Sequence, residues 1–185
     1  QGLLGETAGA DAVPAVPGHA AVLAGSCSVA TLGQIERFKA DYPSVGIDPL
    51  RLADGETVVE EVLDWAREKI SAGPVLVYAS QPAETVRAVQ ERLGRAEAGA
   101  LVEEAMAAIA RGLVASGVRR LVVAGGETSG AVVSALGVSG LRIGAQIDPG
   151  VPATVSLGDE PIALALKSGN FGGPDFFAKA LAAMP

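Results

Sequence analysis

The chain has 185 residues, 49% hydrophobic and 19% charged, with 14 Lys+Arg against 21 Asp+Glu and a formal net charge of −7. That length suits one domain, or a domain with a short arm, and the apolar content excludes a disordered chain. Net acidity without a basic cluster argues against nucleic acid, no apolar run reaches the ~20 residues of a membrane-spanning helix, and a single cysteine, Cys27, excludes an intrachain disulfide.

Residues 1–18 hold four glycines and two prolines without periodicity and read as a linker, leaving 19–185 as the folded domain. They lack the basic start and apolar core of a signal peptide, so a cytoplasmic protein is expected. A chain that opens on Gln1 and reaches its first methionine at Met106 is expected to be a piece of a longer protein. The run 20–25 has the continuous apolar character of a buried parallel strand. Leu32, Ile35, Phe38 and Tyr42 then recur at helical spacing, and 45–47 reads as a short strand. Asp54 is expected to cap a helix whose apolar stripe runs from Val58 to Ile70, ending at Gly73. A second strand is expected at 74–80, a helix from Pro82 through Leu93, and another over roughly 97–116. Residues 119–130 read as strand, glycine turn and helix start. The runs 141–147, 153–157 and 161–167 are strand-like with no helix between them, the last two joined as a hairpin, and a helix from Pro174 closes the chain at 183. The expected fold is a three-layer α/β/α, Rossmann-like domain with a mostly parallel mixed sheet and a C-terminal β-hairpin.

Small residues concentrate where strands end: GSCS (25–28), GGETSG (125–130) and SGNFGG (168–173), each leading into an expected helix. Ligands of open α/β sheets bind at the carboxyl ends of the strands, where strand order reverses. Glycine lets the backbone approach a ligand closely, and helix-start N–H groups attract anions. Three such loops on one edge point to a phosphorylated or otherwise anionic ligand. None matches the P-loop or dinucleotide spacing. Ser26, Ser28, Thr128 and Ser129 offer hydroxyls. Glu127 is either a ligand for a ribose hydroxyl or a magnesium-bound water, or a carboxylate settled at a helix start. Lys167 either reaches a phosphate or stays solvated at a strand end, and Asn170 either meets a base or ribose or shapes its turn. Asp148, Asp159, Asp175 and His19 read as structural, and Cys27 as buried and inert. One His and one Cys exclude a His/Cys zinc site.

GSCS with Thr31 and Gln34, VVAGGETSGAVV (122–133), IDPGVP (147–152) and LALKSGNFGG (164–173) together resemble the C-terminal, nucleotide-binding domain of the four-carbon acid sugar kinases. The resemblance implies an ATP- and Mg2+-dependent kinase that phosphorylates a sugar acid such as 3-oxo-tetronate, threonate or erythronate. It implies ATP contacts from Gly25, Ser26 or Ser28, from Gly125, Gly126, Glu127 and Thr128, and from Ser168, Gly169 and Asn170. It also implies an N-terminal partner domain, absent from this sequence, that supplies the acceptor site and the base. Arg119 and Arg120 precede a strand and so belong at the end opposite the loops. The fragment alone is therefore expected to bind nucleotide but to transfer phosphate poorly. The reading from residues alone leaves open a non-catalytic module that binds a sugar phosphate or nucleotide, or an interaction domain docking through its alanine-rich helices.

Overall fold

The apolar run after His19 becomes strand β1 (His19–Ala24), whose alternate side chains leave opposite faces. Ala20, Val22 and Ala24 enter one core while Ala21 and Leu23 enter the other, so β1 is covered on both sides. The computed structural model describes residues 14–81 and 83–184. The expected linker up to residue 13, and Pro82 at its expected helix start, lie outside the described residues. Val16 is already buried in the core.

After β1 come α1 (Val29–Lys39), β2 (Ser44–Gly46), α2 (Pro49–Ala53), α3 (Val58–Lys69), β3 (Val75–Tyr78), α4 (Ala83–Leu93) and α5 (Arg95–Ala115). The second half holds β4 (Val118–Ala124), α6 (Gly126–Ala135), β5 (Leu141–Asp148), β6 (Val151–Ser156), β7 (Ala163–Lys167) and α7 (Phe176–Ala182). The strands form one seven-stranded sheet in the order β2-β3-β1-β4-β7-β6-β5. Pairing is parallel from β2 to β7, and β6 runs antiparallel to both β7 and β5. The expected three-layer α/β/α architecture is therefore the one observed, and the 157–161 turn does join a hairpin. One face carries Ile35 and Phe38 of α1 and Phe176 and Phe177 of α7. The other carries Val62 and Ala66 of α3, Met106 and Ile109 of α5, and Val132 of α6.

The expectation for Asp54 is corrected. Asp54 stands at the C-terminal end of α2, and α3 starts after Thr57. The N-cap position of α3, Thr57, makes no side-chain cap bond; a side-chain cap stands instead on α2, where Asp48 accepts the Leu50 amide at 2.9 Å and Pro49 occupies the first turn. Loss of this cap in Asp48→Ala is expected to cost about 1 kcal/mol, or roughly 2–4 °C in calorimetric Tm. Asp54→Ala removes only an exposed pair with Arg92 and is expected to shift Tm less. The reverse ranking would contradict the assignment. The closing helix likewise begins two residues later than expected, with Asp175 just outside it, bonded to Arg37 at 3.0 Å.

Candidate functional site

β1, β4 and β7 lie side by side and parallel, so the three glycine loops leave the sheet at one edge. From β1 the chain runs to β2 at the edge, returns to β3 between β2 and β1, then crosses to β4 on the other flank of β1. The reversal of strand order thus falls between the C-terminal ends of β1 and β4. A cleft of about 640 Å³ opens there. Its floor is the first two loops: Gly25, Ser26 and Cys27, and Gly125 to Thr128. Its walls come from α2, α4 and α5, with Pro49, Val86, Val89 and Val102 apolar and Arg95 and Glu103 charged.

The first two loops touch so closely that only glycine fits. A Cβ on Gly25 would overlap the Thr128 hydroxyl, and one on Gly125, whose φ is +130°, would lie 2.9 Å from Thr128 Oγ1 and 3.2 Å from the Ser26 nitrogen. The amides of Gly25 and Ser26 both donate to the Ala124 carbonyl, at 3.0 and 3.2 Å, and the Gly125 amide donates to Lys167 O at 2.9 Å. Those three N–H groups hold the loops to one another. The groups left over belong to α6. Its ladder begins with Ser129 N donating to Gly125 O at 2.9 Å, so the Gly126, Glu127 and Thr128 amides have no acceptor within the helix. They face the cleft end of a ten-residue helix and carry its positive pole. Glu127 is exposed beside them, and Thr128 is buried.

The third loop, with Ser168, Gly169 and Asn170, is outside the cleft lining but packs against Ser26, which a Cβ on Gly169 would overlap. Its hold on α1 is extensive. The Ser28 hydroxyl accepts from Thr31 N at 3.2 Å, capping α1, and donates to Gly169 O at 2.6 Å. Thr31 Oγ1 donates to the same carbonyl at 2.9 Å. Gln34 Nε2 stands 3.0–3.1 Å from the carbonyl oxygens of Phe171, Gly172 and Gly173. Asp148 accepts the Gly173 amide at 3.0 Å and pairs with Lys179, which together hold its carboxyl below the usual range. Ser28, Thr31 and Gln34 are thus engaged with the protein, whereas the Asn170 side chain is exposed.

Two expectations are corrected. Lys167 neither reaches out nor stays solvated: it is 1% exposed, and its Nζ donates to Thr31 Oγ1, Ser168 O and Gly169 O. Cys27 is exposed at the cleft, because the chain has already left the sheet there; its sulfur receives the Gln81 amide at 3.5 Å. Sequence reasoning missed Arg95, which follows the turn at Gly94 and reaches the cleft from the start of α5. Arg119 and Arg120 do sit at the far end of β4, bonded to Val114 O and to Gly18 O and Met184 O.

Among the described residues no group of three or more His, Cys, Asp or Glu side chains could hold a metal alone. No helix among the described residues is long and apolar enough to cross a membrane.

A family model described as a nucleotide-binding C-terminal domain matches residues 21–177. A 3-oxo-tetronate kinase from Pseudomonas fluorescens is 63% identical over 93% of the chain and 40% of the relative. One from Burkholderia multivorans is 58% identical over 95% and 41%. A crystal structure of a Haemophilus influenzae protein of the DUF1537 family superposes with a TM-score of 0.89 at 36% identity, over 96% of this chain and 43% of that one. The chain therefore spans about two-fifths of the length of the relatives it matches.

Proposed function

Because the chain belongs to the nucleotide-binding C-terminal domain family of the four-carbon acid sugar kinases, we propose that it is the ATP-binding part of a cytoplasmic kinase for a sugar acid such as 3-oxo-tetronate, threonate or erythronate. The observation that carries this reading is the cleft at the strand reversal, with unbonded α6 amides at its floor and apolar side chains on its walls. A flat base suits the surface of Val86, Val89 and Val102. Phosphates suit the Gly126, Glu127 and Thr128 amides with Ser26 alongside, because a helix start favours anions even in an acidic protein. Mg2+ would neutralise charge on the transferring phosphoryl group, and Glu127, exposed at the cleft, would orient one of its waters or a ribose hydroxyl.

Phosphoryl transfer also needs a group to accept the hydroxyl proton and a cationic clamp for the sugar acid's carboxylate. Arg95 is the one arginine lining the cleft among the described residues. In our reading the clamp and the base come from a partner domain of the longer protein, so this chain alone binds nucleotide and turns over little acceptor. A thermal-shift series tests the first half. Mg-ATP at 100 times its Kd adds about 2.7 kcal/mol, raising Tm by roughly 5–10 °C. No shift at millimolar ATP, with the fold intact, would contradict it. Tighter binding of a sugar phosphate lacking adenine would favour a regulatory module instead.

A further inference from the structure

Among the large, fully buried side chains of the described residues is a lysine, Lys167, the last residue of β7. Its three ammonium protons match three oxygens: Thr31 Oγ1 at 2.9 Å, Gly169 O at 2.8 Å and Ser168 O at 3.2 Å. Among the described residues no carboxylate pairs with it. The charged groups of the surrounding elements are engaged elsewhere. On α1, Glu36 pairs with Lys39 and Arg37 with Asp41 and Asp175. The arginines of β4 lie at its far end, β6 carries no charge, and Glu127 of α6 is exposed. Asp148 of β5 is held by Lys179 of α7.

The buried cation has a geometric consequence. In a planar trans peptide the C=O and the following N–H point in opposite directions. With the Ser168 and Gly169 carbonyls drawn onto Lys167, the Gly169 and Asn170 amides face away from it. The Gly169 carbonyl is fixed further by Ser28 and Thr31, and the Ser168 carbonyl by Phe171 N at 3.1 Å. Neither outward amide donates to a protein acceptor among the described residues. Two successive free amides form an anion-binding nest, here beside Ser26 with a positive charge behind it.

We propose that Lys167 is a positioning residue for the polyphosphate: it turns these two peptides so that the Gly169 and Asn170 amides hold a phosphate group, and its buried charge strengthens that hold without touching the ligand. The proposal rests on the nucleotide-binding reading above. Burial pushes the Lys167 pKa down to about 8. The charge is therefore present at neutral pH and fades as pH rises through that value. A bound polyanion favours the charged form, so ATP binding near pH 8 takes up protons.

The test measures Mg-ATP and adenosine binding calorimetrically for the wild-type chain and for Lys167→Met. The variant should bind ATP about tenfold or more weakly while adenosine affinity moves less than about twofold, because only the former has phosphates for the nest. Wild-type ATP affinity should fall between about pH 7.5 and 9.5, with proton uptake near pH 8, a range above the last phosphate pKa of ~6. The folded variant should lose that dependence. If the variant does not fold, the wild-type profile decides: a flat ATP profile overturns the proposal, and a fall absent for adenosine supports it. Equal weakening of ATP and adenosine, or unchanged ATP binding, overturns it while leaving the nucleotide reading intact. Failure of the wild type to bind ATP overturns the nucleotide reading, and the role of Lys167 with it.

Discussion

Replacing Gly125 by valine is expected to abolish nucleotide binding and to lower Tm by roughly 10 °C. Gly125 is buried at the head of α6 with φ +130°, where a β-branched residue costs about 1–3 kcal/mol. Its Cβ would press on Thr128 Oγ1 at 2.9 Å and on the Ser26 nitrogen at 3.2 Å. The first is the hydroxyl of a short β-branched side chain and the second is backbone, so neither yields easily. Such crowding adds about 1–3 kcal/mol. Relief requires the two loops to part, which moves the α6 amides and breaks the Gly125–Lys167 hydrogen bond. Gly130→Ala is the matched control: it lies in the same helix with open space around it and is expected to stabilise by about 0.5–1 kcal/mol. A Gly125→Val protein with wild-type Tm and ATP affinity would contradict the account of the floor.

Phe177→Ala is expected to cost about 3–5 kcal/mol, a fall in Tm of roughly 6–20 °C, read by calorimetry. Helix α7 has seven residues and no side-chain cap, so packing has to hold it. Phe177 supplies much of that packing, meeting Phe38 edge-on at 5.9 Å between ring centroids and Phe176 at 6.3 Å. Phe176 in turn lies against Gly172, where a Cβ would come within 2.6 Å of its ring. Loosening α7 therefore releases the end of the third loop as well as apolar surface. A cost below about 1 kcal/mol would mean that α7 contributes little to the fold.

The sheet was legible because its central strands are covered on both faces and so read as unbroken apolar runs, as in 20–24 and 121–124. The placing of the glycine loops on one edge followed from that parallel order. Short α2 was missed because Asp54 followed by Glu56 imitates a helix start, while the true signal, Asp48 before Pro49, precedes only five helical residues. The surroundings of Lys167 could not be read locally. Its partner Thr31 is 136 residues away, and a lysine buried against carbonyl and hydroxyl oxygens has no pattern of its own in sequence. Ser28 and Gln34 share that difficulty: their type invites a ligand role, but their acceptors lie in a loop 137–141 positions downstream. Cys27 and Arg95 reach the cleft because turns carry them out of the layers, a matter of chain direction rather than polarity.

The most direct measurement is a crystal structure of the chain with Mg2+ and a non-hydrolysable ATP analogue. The account places phosphate oxygens within about 3 Å of the Gly126, Glu127 and Thr128 amides, with the base against Val86, Val89 and Val102. A nucleotide bound away from the reversal between β1 and β4, or bound there with its phosphates turned from α6, would contradict it.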